Sequence, residues 1–330
     1  MLWRSAAKLL APGGAIRIDA PLCVRTRYSP SRCSACADVC PENAIEISLV
    51  PQLNAGTCTS CRQCEAACPA CAIADDEPNL RELAEQLAKH PLPVLGCRVP
   101  GVQANVHSGC LGFLDSEALL ALGMALPAGL TLNLKRCKDC VNAPVMAKVE
   151  AAAQAARHLA VVMGAGPVHV AIDPRELAVK ESGISRREFL SLAGRRAAQA
   201  VSSAVKSRRI SPLEPMGERK DLPARRRLLL EKFGLIKADI RTSVAGVLFP
   251  SLDFGLACTN CMGCVGMCPT GAIATSRHDP PRPAFIAPLC TNCGVCAEYC
   301  AAKAITLKQP AFLEKSGNTT SAQTPASSGQ

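Results

Sequence analysis

The chain has 330 residues, 21 of them cysteine, and a formal net charge of +10 at neutral pH. Aromatic residues make up only 3%, too little ring material for one large core, so several small domains held by something other than packing are expected. No run approaches the ~18 apolar residues of a membrane-spanning helix. MLWRSAAKLLAPGG at the start is broken by Arg4 and Lys8 and lacks a secretory signal's apolar stretch and cleavage site. A reducing, cytoplasmic setting is therefore expected, with the inner face of a membrane as a peripheral alternative.

The cysteines do not read as a disulfide framework. Most fall in Cys-x2-Cys groups, too tight for mutual disulfides and well spaced to hold metal. The first group, SPSRCSACADVCP, carries Cys33, Cys36 and Cys40, with Pro30 where a fourth cysteine would complete the spacing. Residues 58–69 read CTSCRQCEAACP and carry Cys58, Cys61, Cys64 and Cys68. After a long interval, CTNCMGCVGMCP supplies Cys258, Cys261, Cys264 and Cys268, and CTNCGVCAEYCA supplies Cys290, Cys293, Cys296 and Cys300. Each copy runs on into a similar stretch: CPENAI, CPACAI, CPTGAI and CAAKAI. Cysteines at intervals of three wrap a loop round one face of a cubane, each thiolate reaching a different iron. Zinc sites normally use two separate Cys-x2-Cys knuckles instead.

These runs resemble the bacterial dicluster ferredoxins, which hold two 4Fe-4S clusters. The resemblance covers residues ~20–75 and ~250–307. It implies an α+β chain with a pseudo-symmetric ferredoxin-like module at each end, in which the last cysteine of each arm ligates the other cluster. So carried over, Cys58, Cys61, Cys64 and Cys40 hold cluster 2. Cys258, Cys261, Cys264 and Cys300 hold cluster 3, and Cys290, Cys293, Cys296 and Cys268 hold cluster 4. Ala301 stands where the family has proline, which shapes the chain and is not a ligand. Cluster 1 has Cys33, Cys36 and Cys68 and needs a fourth thiolate. Cys23 approaches from upstream, the side on which the first ligand normally arrives, and a longer loop costs little closure entropy. Cys71, three residues after Cys68, is the alternative.

The middle third alternates strand and helix. LRELAEQLAKH and DSEALLALGMAL read as helices, the latter with Asp115 or Ser116 as N-cap. LPVLGC, ANVHSGC and LTLNLKRCKDC read as strands running into cysteines, followed by a helix over AKVEAAAQAARHL and a strand at VHVAI. Open α/β sheets place ligands beyond the carboxyl ends of their strands. Cys97, Cys110, Cys137 and Cys140 are thus a candidate fifth metal site. Another iron–sulfur cluster, a structural zinc and redox-active thiols all remain open there. The region distantly resembles the small iron–sulfur subunits linking hydrogenases or formate dehydrogenases to heterodisulfide reductases, though their usual double cysteine is only Cys97 here.

Residues 180–241 carry 16 Lys and Arg against 7 Asp and Glu. Two basic helices round a proline-containing connector are expected, as a solvated linker or as a docking element for an acidic redox partner or an anionic membrane surface. SRREFL within it looks like a twin-arginine motif, but lies deep in the chain and is better read as a helix start capped by Ser185 and Glu188. GAGP at 164–167 is a turn and lacks the glycines of a dinucleotide loop. No nucleic-acid motif and no organic-substrate site is evident. The tail from about Leu313 reads as disordered.

The expected organisation is a dicluster module over 1–80, a four-cysteine α/β domain over 81–180, a basic helical linker over 181–247, a second dicluster module over 248–310 and a tail over 311–330. The functional expectation is an electron-transfer protein with four 4Fe-4S clusters and a possible fifth metal site, working as a wire or subunit beside redox partner proteins more than as a free-standing enzyme. The alternatives are an accessory or assembly factor docking through the basic segment, and catalysis at the middle cysteines if coordination there is open.

Overall fold

A computed structural model describes residues 16–48, 50–75, 78–171 and 220–314. Within them the chain mixes helix and strand. SRREFL, its proposed cap at Ser185 and Glu188, and most of the basic segment lie outside the described residues. No helix among the described residues is long and apolar enough to cross a membrane.

The first region folds as two small antiparallel strand pairs. β1 (Arg17–Ile18) pairs with β4 (Ile73–Ala74), and β2 (Ile45–Ile47) pairs with β3 (Pro51–Leu53). Between them sit short helical turns at Ala35–Asp38 and Gln63–Ala67, each carrying a motif cysteine. β2 and β4 both start at the Ile of the repeated Ala-Ile. That Ile is buried because successive strand side chains alternate faces and this one points to the cysteines.

The middle region is a parallel sheet with helices packed on it. α1 (Leu80–Leu87) opens with a capping box: the Asn79 side chain accepts from the Arg81 and Glu82 amides at 3.0 and 3.2 Å, and the Glu82 carboxylate accepts from the Asn79 amide. Its Leu80, Leu83, Ala84 and Leu87 recur at helical spacing and are all buried. The sheet consists of β5 (Val94–Cys97), β6 (Val106–Ser108), β7 (Leu130–Asn133) and β8 (Val168–Ala171) in the order β6-β5-β7-β8. α2 (Ser116–Ala125) starts at Asp115, whose side chain accepts from the Ala118 amide at 2.7 Å. α3 (Pro144–Met163) has proline in its first turn and ends on Gly164 in the left-handed conformation, within the expected turn. The strands at Cys97 and VHVAI match the sequence reading; β7 is shorter than expected and leaves Cys137 and Cys140 in the turn after it.

The described part of the basic segment is not an isolated linker. α4 (Ala224–Phe233) and α5 (Ala238–Leu248) bury Leu228, Leu229, Val244 and Leu248 in the same core as α2 and α3. α2, enclosed by α3 and α4, has Leu119, Leu120 and Leu122 at 0% exposure.

The last region repeats the first. β9 (Ser251–Phe254) pairs with β12 (Ile305–Lys308), and β10 (Ile273–Thr275) with β11 (Pro283–Phe285), all antiparallel. Helical turns at Gly263–Met267 and Val295–Tyr299 carry its cysteines. Ala311–Glu314 forms one further helical turn whose Phe312 is buried in the central core, so order extends past the expected start of the tail.

Candidate metal centres

The repeated motif is a repeated backbone shape. Ser60 and Arg62, Asn260 and Met262, and Asn292 and Gly294 all have positive φ, at the same two places in each intact arm. The third residue after each arm's last cysteine is also left-handed: Asn43, Cys71, Gly271 and Lys303. Amides turned inward by these bends donate to sulfur. The Ala44, Ala72 and Ala304 amides lie 3.2, 3.3 and 3.4 Å from the sulfurs of Cys40, Cys68 and Cys300. The Ser60 and Asn292 amides reach Cys58 and Cys290 at 3.4 Å. Such bonds favour the charged thiolate over the thiol.

The arm with Pro30 departs from this shape, and Cys23 from upstream lies beside it. Cys23, Cys33, Cys36 and Cys68 line one cavity with Ile18 and Ile73, of about 370 Å3 counting its open mouth. Cys23 follows a 3-10 turn over Ala20–Leu22, and Cys290 follows one over Ala287–Leu289. Both turns read Ala-Pro-Leu, and in both the cysteine amide donates back to the alanine carbonyl at 3.0 Å. Cys23 therefore occupies the place in the first region that Cys290 occupies in the last. The repeated APLC was a sequence signal for it that the motif spacing alone did not bring out. Cys71 does not line the cavity; it holds the left-handed turn position that Gly271 holds in the other half.

The other sets assemble as follows. Cys268, Cys290, Cys293 and Cys296 line a second cavity, of about 290 Å3 counting its open mouth. Cys58, Cys61, Cys64 and Cys40 lie within electrostatic reach of one another, as do Cys258, Cys261 and Cys264. Cys300 keeps the amide-to-sulfur bond that marks Cys40 and Cys68. In the middle region, Cys97 ends β5, Cys110 follows β6, and Cys137 and Cys140 follow β7, all at the carboxyl edge of the sheet. The thiols of Cys97, Cys110 and Cys137 each lie within electrostatic reach of Cys140, and Cys110 and Cys137 also of Cys97. The Asn142 amide donates to the Cys140 sulfur at 3.4 Å, as the corresponding amides do at Cys58 and Cys290.

The sets stand in a row. Cys110 lies within electrostatic reach of Cys61, joining the middle set to the Cys58 set. Cys64 likewise senses Cys36, joining the Cys58 set to the Cys23 set. Cys293 and Val295 pack in the apolar cluster that holds Cys23, Cys36 and Cys68, and Tyr28 meets Tyr299 edge to face at 5.5 Å. Cys296 senses Cys264, which brings in the last set.

Burial raises the thiols of Cys36 and Cys137 above their ordinary range, to about 11 and about 12, with neighbouring thiols adding to the desolvation. Cys110 also reaches about 12. Buried sulfurs that oppose one another's ionisation need a cation among them to become thiolates. All the cysteines are free of disulfides. Among the described residues, no three His, Cys, Asp or Glu side chains converge closely enough to hold a single metal ion.

The joints between regions are built from buried polar contacts. Arg62 is 3% exposed and meets Asp75 at 2.8 Å, Glu65 at 2.8 Å and the Ser108 hydroxyl at 3.1 Å, with its guanidinium over the Phe113 ring. The Asn142 side chain donates to the Thr59 carbonyl at 3.2 Å. A Cβ at Gly112 would collide with the Cys61 carbonyl, so glycine is what lets the middle region approach that cysteine. On the other side, Arg226 makes a two-pronged pair with Glu117 at 2.5 and 3.0 Å and donates to the Cys290 carbonyl. Burial would raise Glu117, but the Arg226 guanidinium holds it below the usual carboxylate range. Arg225 pairs with Asp115 at 3.0 Å and donates to the Cys68 carbonyl, and Lys220 donates to the carbonyls of Val265, Gly266 and Cys268. Sequence reading missed these roles, because a charge count does not show where the partners are.

Comparisons of the chain with family models, with curated proteins and with solved structures returned no match.

Proposed function

We propose that the chain is an electron-transfer protein with two ferredoxin-like modules, holding four 4Fe-4S clusters and a further iron–sulfur cluster at the edge of the middle sheet. The observation that carries this reading is the row of thiol sets, running from Cys97/Cys110/Cys137/Cys140 through the Cys58, Cys23 and Cys290 sets to the Cys258 set. When bound, such clusters supply one-electron redox chemistry, with potentials set by burial and by hydrogen bonds to sulfur.

The residues suit that role. Cys23, Cys33, Cys36 and Cys68 would hold the first cluster, Cys58, Cys61, Cys64 and Cys40 the second. Cys258, Cys261, Cys264 and Cys300 would hold the third, and Cys290, Cys293, Cys296 and Cys268 the fourth. Thiolates on one zinc lie about 2.3 Å from it and are drawn together. Thiolates on different irons of one cluster stand further apart, round a cavity of the kind that Cys23 and Cys290 line. Ile18, Ile73, Leu252 and Phe285 wall these cavities and limit water.

Stepwise reduction by a low-potential donor, followed by electron paramagnetic resonance, tests the reading. Signals from interacting reduced clusters are expected. A protein that binds no iron when made without oxygen would overturn it.

A further inference from the structure

The row of thiol sets has two ends, and they differ in charge. At one end stands the Cys258 set, whose Cys261 is exposed. No charged residue occurs from Phe254 to Ser276, and Leu256 projects fully into solvent. At the other end the middle set stands at the carboxyl edge of the sheet, between β5 and β7, where the strand order reverses direction. There the turn Lys135-Arg136-Cys137-Lys138-Asp139-Cys140 presents Lys135, Arg136 and Lys138, all exposed and without an ion pair among the described residues. Lys148, on α3, lies within electrostatic reach of Cys61, on the same flank.

Three cations within four residues of sequence, with Cys137 between them and the single carboxylate of Asp139 beside them, form a concentrated positive patch. Fields of this kind raise the encounter rate of an oppositely charged partner and orient it as it arrives. By contrast, the described cations of the basic segment nearest the thiol sets are occupied: Lys220, Arg225 and Arg226 bond inside the molecule.

We propose that an acidic one-electron carrier protein docks on Lys135, Arg136 and Lys138, placing its redox group at the mouth of the Cys97/Cys110/Cys137/Cys140 set. This rests on the electron-transfer reading above. A protein partner fits the patch better than an anionic membrane, because no exposed large apolar side chain among the described residues belongs to this turn to enter a bilayer.

The test uses the full chain, prepared without oxygen, and an acidic flavodoxin as the probe. Binding is measured at low and at physiological salt for the wild type, for the triple variant Lys135→Glu/Arg136→Glu/Lys138→Glu, and for Arg277→Glu/Lys308→Glu, two exposed cations of the last region. Iron is counted on every sample. The wild type is expected to bind and to weaken as salt rises, and the triple variant to bind about tenfold more weakly or worse with its iron unchanged. The Arg277/Lys308 variant is expected to stay within about twofold of wild type. The proposal is overturned if the triple variant binds as wild type does, or if the Arg277/Lys308 variant takes the loss. It is also overturned if the wild type ignores flavodoxin and binds only phosphatidylserine vesicles. A chain that binds flavodoxin through this patch yet carries no iron would instead defeat the electron-transfer reading and leave the docking face standing.

Discussion

The arms beginning at Cys58 and at Cys258 share their cysteine spacing and the same two left-handed residues, yet they sit in different surroundings. Cys61 is 8% exposed and packs in the core of the middle region, whereas its counterpart Cys261 is exposed. Arg62 is held by two carboxylates, a hydroxyl and an aromatic ring, while its counterpart Met262 is only half-buried. One motif thus yields a sealed site in the first half and an open one in the second. The motif fixes where the sulfurs go, and the neighbouring structure decides how much water and charge they meet.

The largest expected effect comes from the joint between halves. Glu117→Gln leaves the Arg226 charge buried without its partner, and a loss of about 3–5 kcal/mol of stability is expected in denaturant unfolding. Because the folded pKa of Glu117 is lowered, this pair's contribution is present above its ordinary value of 4.5 and is lost as pH falls through the folded value. Unfolding measured as a function of pH should show that direction in the wild type and a flatter response in Glu117→Gln.

Arg62→Ala and Met262→Ala contrast the two arms directly. The first should cost about 3 kcal/mol or more, since it strands Asp75 and Glu65 beside the sheet. The second should cost no more than about 1 kcal/mol, because a half-exposed side chain is all that is removed. Equal losses would show that the two arms are sealed alike.

A smaller effect separates the sites by exposure. On admitting air, iron should leave the Cys258 set before the Cys58 set, giving two phases in the loss of visible absorbance. Cys261→Ala should remove the fast phase. A single phase for all sets would mean that solvent access does not distinguish them.

Much of the site was legible in the sequence, because it is local: cysteine spacing and the turn after each last cysteine are set within a dozen residues. The middle sheet was legible too, since three of its strands have a cysteine at or shortly after the end, and Asp115 caps α2 as its residue type suggests. The joints were not legible. Arg226 and Glu117 are 109 residues apart, and nothing in the local pattern of either names the other. The order of the thiol sets was hidden for the same reason, because packing of Cys293 against the Cys23 set depends on how the regions dock. The basic segment was read by charge alone, which cannot distinguish a solvated cation from one such as Arg226, 2% exposed.

The central claim is that four cysteine sets of ferredoxin type and one set at the sheet edge all hold iron, with Cys23 completing the first. The most direct test is to count iron, acid-labile sulfide and zinc per chain, on protein prepared without oxygen, for wild type, Cys23→Ala and Cys71→Ala. About 18 to 20 iron and no zinc are expected in the wild type. Loss of iron from one cluster is expected in Cys23→Ala and none in Cys71→Ala. Full iron in Cys23→Ala with loss in Cys71→Ala, or zinc in place of iron in the wild type, would contradict it.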